Sequence, residues 1–182
     1  MFTIRPAHPG ERGELFRGRY DVYVREMQAM PPRPDEAIRD TFDDLDETLN
    51  LVVVRDDGGR SPRLVGGARW VADRGRGTTA DGYYDFSPHL PTWARRGAGS
   101  MLWMRPEARG QKGLIGDMMA EGLEWCIEQG VSHVLATVNP PVAPRFARVG
   151  YEPVGRPFRH SSGLPVQAMI LETAVAQAQK VA

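Results

Sequence analysis

The spacing of apolar residues changes period several times along the chain, and each change predicts an element. "FTIRP" (2–6) is a short alternating run closed by Pro6, a first strand. From Gly10 to Met27 apolar residues recur at Leu15, Tyr20, Val22, Tyr23 and Met27, a helix whose period is loose. The prolines and acids of "PPRPDEAIRDTFDDLDE" (31–47) follow no period and predict an irregular loop. "NLVVV" (50–54) and "RLVGGARWVA" (63–72), joined by "DDGGR" (56–60), predict a hairpin, because Asp-Gly suits a tight β-turn. Residues 73–98 hold four glycines and two prolines and read as a long loop with one helical turn. "SMLWM" (100–104) reads as a strand ended by Pro106.

A second helix is predicted from about Gly113 to Gln129. Ile115, Met119, Gly122, Leu123, Cys126 and Ile127 share its apolar face, and Gly130 stops it. "HVLATV" (133–138) is a strand and "PVAPRFARV" (141–149) a short helix opened by proline. "YEPVG" (151–155) and "PVQAMILE" (165–172) are strands, and the tail from Thr173 is helix-prone. This order gives an α/β fold with a mixed, mostly antiparallel sheet and flanking helices.

At 182 residues, 41% hydrophobic and 25% charged, the chain is expected to form a single domain spanning 1–182. Its 23 basic and 23 acidic residues cancel, so no global charge points to nucleic acid or an anionic membrane. A local basic patch stays open. The one cysteine, Cys126, has no internal disulfide partner, and no secretory leader precedes the first strand, so a cytoplasmic protein is expected. No apolar run reaches the ~20 residues of a membrane helix.

The chemistry concentrates where the strand at 100–104 hands over to the second helix. The turn Arg109-Gly110-Gln111-Lys112-Gly113 precedes a helix N-terminus, where unpaired amide N–H groups and the helix dipole favour an anion. Arg109 and Lys112 add positive side chains. A solvated turn before a surface helix explains the same residues.

The segment "MRPEARGQKGLIGDMMAEGLEWCIEQGVSHVLATV", followed by "NPPVAPRFARVGYEPVG", resembles the second half of a GNAT-fold acyltransferase. That family's signature is a strand near "V-x-P-x-x-R-G-x-G-x-G", a helix, a strand, an Asn, and a short helix closing on "x-G-F". Met104, Pro106, Arg109, Gly110, Asn139 and "VGY" (149–151) stand at those places. The resemblance implies a sheet splayed at its centre, and a donor of acyl-CoA or acetyl-CoA type with no metal. It assigns donor contacts to Met104, Arg109, Gly110, Gln111, Lys112, Gly113, Asn139 and Phe146. Two places depart from the family. Lys112 stands where the middle glycine belongs and Gly113 follows one place late, so the turn carries one extra residue, and Phe146 stands where many members carry a tyrosine that protonates the leaving thiolate.

The N-terminal half resembles one GNAT branch, the acyl-homoserine lactone synthases and N-acyl amino acid synthases. Their pattern is R-x-x-V-F, then E-x-D-x-x-D, then G-x-x-R. Arg19, Val22 and Tyr23 fill the first motif, Asp43 and Asp46 the last two acids of the second, and Gly66 and Arg69 the third. Thr41 replaces the first acid, and "AGS" (98–100) lacks a later one, so an acceptor other than a homoserine-lactone precursor is expected.

Acyl transfer from a thioester to an amine needs a deprotonated amine, a polarised carbonyl and a departing thiolate. Asp43 and Asp46 are the candidates for holding and deprotonating the acceptor ammonium, with Arg69 as their catalytic-site partner. A solvated acidic loop capping the next strand accounts for them equally. Arg19 and Arg69 order that loop or bind an acceptor carboxylate. Amides near Met104 and Arg105 are candidate oxyanion donors.

The function expected is N-acyl transfer from acyl-CoA or an acyl carrier protein to the amine of a small molecule or amino acid. Two other readings stand beside it. One is a GNAT-fold sensor of acyl-CoA that has lost catalysis. The other is a transferase using aminoacyl-tRNA. Arg145, Arg148, Arg156, Arg159 and His160 would attract an acidic carrier protein or a phosphate backbone equally well, and surface solubility alone explains them too.

Overall fold

A computed structural model describes residues 1–58, 61–160 and 163–174. The loose period of the first helix has a structural cause. Helix α1 (Arg12–Tyr20) is regular, but residues Asp21–Glu26 wind as a π-helix. There the Met27 N–H donates to the Val22 carbonyl at 2.9 Å, five residues back. The wider turn moves side chains off the 3.6 period, so Tyr20, Val22 and Val24 are all buried.

The strands are β1 (Phe2–Pro6), β2 (Thr48–Arg55), β3 (Arg63–Ala72), β4 (Arg96–Met104), β5 (His133–Val138), β6 (Glu152–Arg159) and β7 (Pro165–Glu172). Two further helices are α2 (Leu114–Glu128) and α3 (Ala143–Ala147). One seven-stranded sheet runs in the order β1-β2-β3-β4-β5-β7-β6. β1 pairs antiparallel with β2, and β7 antiparallel with both β5 and β6. β4 and β5 are parallel, and their pairing covers Arg96–Ala98 against His133–Leu135. The fold is α/β with a mixed, mostly antiparallel sheet, as the sequence predicts.

Residues 1–69 and 101–122 pack as one compact unit, and residues 70–100 with 123–182 as another. In the first, Leu15, Phe16, Val22, Val52, Val54 and Leu64 surround the Trp103 indole. Glycines make room for it. A Cβ on Gly18 of α1 would sit 2.3 Å from a Trp103 ring carbon, and one on Gly67 of β3 would sit 2.6 Å from the Leu51 carbonyl. In the second unit, Ala80, Ala98, Leu135 and Ala168 lie under the fully buried Phe86.

β4 begins at Arg96, four residues earlier than its apolar run suggests. Gly97 and Gly99 read as loop, yet each lets a neighbour approach. A Cβ on Gly97 would stand 3.0 Å from the Val71 carbonyl, and one on Gly99 3.0 Å from the Trp70 ring. β6 likewise continues past Gly155 to Arg159, through an irregularity between Val154 and Phe158. The loop 73–95 carries one 3-10 turn, Ser87–His89, as expected. On α2 the fully buried Met118 joins Leu114, Met119, Leu123 and Cys126 on the inner face. Gly59 and Arg60 of the hairpin turn, and the tail from 175, lie outside the described residues. Among the described residues no helix is long and apolar enough to cross a membrane.

Candidate active site

In the first unit a buried ion network joins α1, the loop before β2, and the strands β2 and β3. Asp43 is 1% exposed, and its two carboxylate oxygens each accept from Arg19 Nη1 at 2.9 Å. Arg69 Nη1 stands 2.8 Å from Asp43 Oδ2. Arg19 Nη2 also donates to Asn50 Oδ1 at 2.6 Å, while its Nε has no partner among the described residues. Burial lowers the pKa of Arg19, and the Asp43 carboxylate opposes that. The Arg12 guanidinium closes the cluster on the Asp43 carbonyl.

Asp40 is the outward member. Its carboxylate grips Arg69 with both oxygens, Oδ1 to Nη1 at 2.6 Å and Oδ2 to Nη2 at 2.9 Å, yet its side chain is 39% exposed. Burial alone would raise its pKa. The Arg69 fork and the Phe42 amide outweigh that, so the carboxyl titrates below its ordinary value. Asp40 and Asp43 form a reciprocal cap on the 3-10 turn Thr41–Asp44: Phe42 N–H donates to Asp40, and Asp40 N–H to Asp43. The pattern "DTFD" (40–43) carried that capping signal in the sequence.

The network sorts the predicted acceptor residues. Arg69 and Asp43 are brought together, but Asp43 is enclosed by two guanidiniums and does not fit the role of gripping an acceptor ammonium. Arg69, at 1% exposure, already meets two carboxylates and has no free face for an acceptor carboxylate. Asp46 is exposed in the turn before β2 and makes no ion pair or hydrogen bond among the described residues.

The turn 109–113 also lies in the first unit and is a turn, not helix. Gly110 and Gly113 adopt φ of 80° and 87°, which an L side chain would strain. Gln111 and Lys112 between them are exposed. Arg109 departs from expectation. Its Nη2 donates to Glu26 Oε2 at 2.6 Å, its Nη1 to Glu26 Oε1, and its Nε and Nη2 to the Met104 carbonyl at 3.0 and 2.8 Å. Its charge is answered by an acid at the end of the π-helical segment. Arg105 Nη2 lies 3.3 Å from Asp21 Oδ2 of the same segment. The Arg105 N–H bonds the Val65 carbonyl at 2.8 Å, so it is not a vacant oxyanion donor. Met104 itself is buried against Gly66. Asp117 lies in the first turn of α2, where its carboxylate opposes an anion at the turn.

In the second unit Asn139 is exposed at the end of β5 and opens the 3-10 turn before α3. Phe146 is half-buried, its ring edge-on to Tyr151 at 5.3 Å. Tyr151 is buried with no partner for its hydroxyl among the described residues, and burial pushes its pKa up. Cys126 is fully buried, and burial pushes its thiol to about 12, which fits inert packing. Arg145, Arg148, Arg156 and Arg159 are all exposed on α3, its end and β6.

Sequence reading missed Asp40, Asn50, Asp21 and Glu26. The last two sit on the π-helical segment, whose winding no period reveals.

The family model of the N-acyl amino acid synthase FeeM matches residues 14–173. The solved structure of FeeM, from uncultured soil microbes, superposes with a TM-score of 0.76 at 16% identity, covering 98% of this chain and 94% of that one. BjaI, a CoA-dependent acyl-homoserine lactone synthase solved with SAM and isopentyl-CoA, gives 0.65 at 22% identity, covering 98% and 88%. An acyl-CoA N-acyltransferase from Pseudomonas aeruginosa gives 0.64 at 17%, covering 94% and 98%. At these identities the superpositions carry the fold. No curated protein sequence matches the chain.

Proposed function

Because the chain belongs to the family of the N-acyl amino acid synthase FeeM and is an N-acyltransferase, we propose that it acylates the amino group of an amino acid with a donor borne on an acidic carrier protein. The acceptor nitrogen, once unprotonated, attacks the thioester carbonyl carbon. The C–S bond breaks, the sulfur leaves with the electron pair, and the amine's remaining extra proton ends on the thiol. The products are an amide and a free carrier thiol. A thiol with pKa near ~8.5 is a fair leaving group, so Phe146 in place of an acidic phenol removes little.

One observation carries the choice of donor. Between Pro140 and His160 there are four exposed arginines and a single acid, Glu152, in a chain with no net charge. At the turn 109–113, by contrast, Arg109 is neutralised by Glu26 and Asp117 stands nearby in sequence at the helix start. A carrier delivers its phosphopantetheine by docking its acidic surface, and asks less of a diphosphate cradle than coenzyme A does. Asp43 and Arg69 act as positioning residues that fix the loop before β2.

The test compares one acyl chain presented on a carrier protein and on coenzyme A. Arg145→Glu with Arg148→Glu should lower kcat/KM for the carrier-borne donor at least tenfold and leave the coenzyme A donor within threefold. The carrier effect should shrink as salt rises. Equal loss with both donors, or none, refutes carrier docking.

A further inference from the structure

We propose that Asp40 is the residue that holds the acceptor's ammonium, a place the family pattern gives to acids further along the loop. This rests on the functional reading above. Three observations converge on it. Of the two carboxylates gripping Arg69, Asp43 is enclosed and Asp40 is 39% exposed. Asp40 Oδ1 accepts from both the Phe42 amide and Arg69 Nη1, whereas Oδ2 accepts from Arg69 Nη2 alone, so one oxygen keeps a lone pair directed away from the arginine fork. The carboxylate is also fixed in place by the cap and by a guanidinium itself held by Asp43, so binding costs little ordering of the side chain.

The chemistry that fits is a cation. Arg19 and Arg69 are balanced by Asp43 and Asp40, and Arg12 by Asp44 at 3.4 Å, so the network has no surplus positive charge for an anion, while the atom it leaves without a second partner among the described residues is a carboxylate oxygen, an acceptor for a cation's N–H. An incoming ammonium would share Asp40 with Arg69 at Oδ2, without displacing either arginine. Asp40, whose carboxyl burial would raise but the Arg69 fork holds below its ordinary value, anchors the acceptor as a carboxylate. It is a binding and positioning group for the reaction.

The experiment first screens the twenty proteinogenic L-amino acids with wild-type protein and both donors, following thiol release. The best acceptor is then paired with its α-hydroxy acid counterpart, used as a competitive inhibitor, in wild type, Asp40→Asn and Asp40→Glu. Asparagine keeps the cap's acceptor oxygen, and Asp40→Ser, also a good cap, serves if the first variant folds poorly. Wild type should favour the amino acid over the hydroxy acid by about tenfold to a hundredfold, the worth of a charged hydrogen bond. Asp40→Asn should lose that preference, raise the acceptor KM by the same factor and leave saturated turnover within threefold. Asp40→Glu should recover part of it. Preference retained in folded Asp40→Asn or Asp40→Ser overturns the assignment to Asp40 alone. A wild type that acylates no amino acid with either donor overturns the functional reading and this inference with it.

Discussion

Asp43→Asn separates a structural from a chemical role for the network. The wild-type carboxylate takes two bonds from Arg19 Nη1 at 2.9 Å and stands 2.8 Å from Arg69 Nη1, with all three side chains at most 1% exposed. The amide keeps the shape but leaves two buried guanidiniums sharing one carboxylate, that of Asp40. Removing one partner of a buried pair costs about 3–5 kcal/mol, because the remaining charge stays buried. Asp40 already neutralises much of Arg69, which puts the expected loss at the lower end, about 3 kcal/mol. Against a total stability of about 5–15 kcal/mol that is a large fraction. For a chain of this size it lowers Tm by roughly 6–12 °C. Thermal unfolding followed by circular dichroism, with urea titration at 25 °C, measures it. Acyl transfer should fall only as far as the folded fraction and loop order fall. A variant with Tm within about 2 °C of wild type and no acyl transfer would refute this account and return Asp43 to direct contact with the acceptor.

Gly18→Ala should destabilise by about 1–3 kcal/mol, read from Tm, because its Cβ meets Trp103 ring carbons at 2.3–2.7 Å in a filled core. Cys126 should resist alkylation by iodoacetamide at pH 8 in the folded protein and react once urea unfolds it, since burial holds its thiol near 12 and out of solvent. Arg5 donates to Glu11 and depresses its carboxyl from 4.5 to about 2. The pair therefore stabilises above pH 4.5 and loses its effect as pH falls towards 2, so the Tm gap between wild type and Glu11→Gln should close over that window. Arg109→Ala should lower Tm more than it lowers donor affinity, and Lys112→Ala should do the reverse, checked by calorimetry with coenzyme A.

Much of the fold was legible because its elements differ in period. The seven strands and the helix after the turn follow from alternation and from the 3.6 repeat, and positive-φ glycines at 110, 113 and 130 punctuate them. What escaped has physical causes. Gly97 and Gly99 lie inside β4 because neighbours need the space, and a glycine chosen for close approach is indistinguishable in sequence from one chosen for a turn. The π-wound stretch Asp21–Glu26 defeats any helical count. At the site, the motifs located Arg19, Asp43 and Arg69 correctly as neighbours. They could not say which carboxylate faces solvent, because exposure depends on how the loop folds over α1, where the Ile38 N–H bonds the Phe16 carbonyl at 3.1 Å.

Charge shows the same limit more sharply. The sequence offers Arg69 and Arg109 as cations near the expected chemistry, but these two and Arg105 are each answered by acids distant in the chain: Asp40 and Asp43 for Arg69, Glu26 for Arg109 and Asp21 for Arg105. Compensated arginines of this kind fix the loop before β2 and the end of β4; they contribute little long-range field. Arg145, Arg148, Arg156 and Arg159 make no ion pair among the described residues. Their field extends about a Debye length, ~8 Å at physiological salt, far enough to steer an acidic carrier of the kind proposed above before contact. A net charge of zero thus conceals two populations of arginine, one paired with acids and one, including these four, exposed without an ion pair among the described residues. On the carrier reading proposed above, the cluster from Arg145 to Arg159 is what the donor meets; a carrier protein and a tRNA would differ in whether a phosphopantetheine thiol or a tRNA hydroxyl is released.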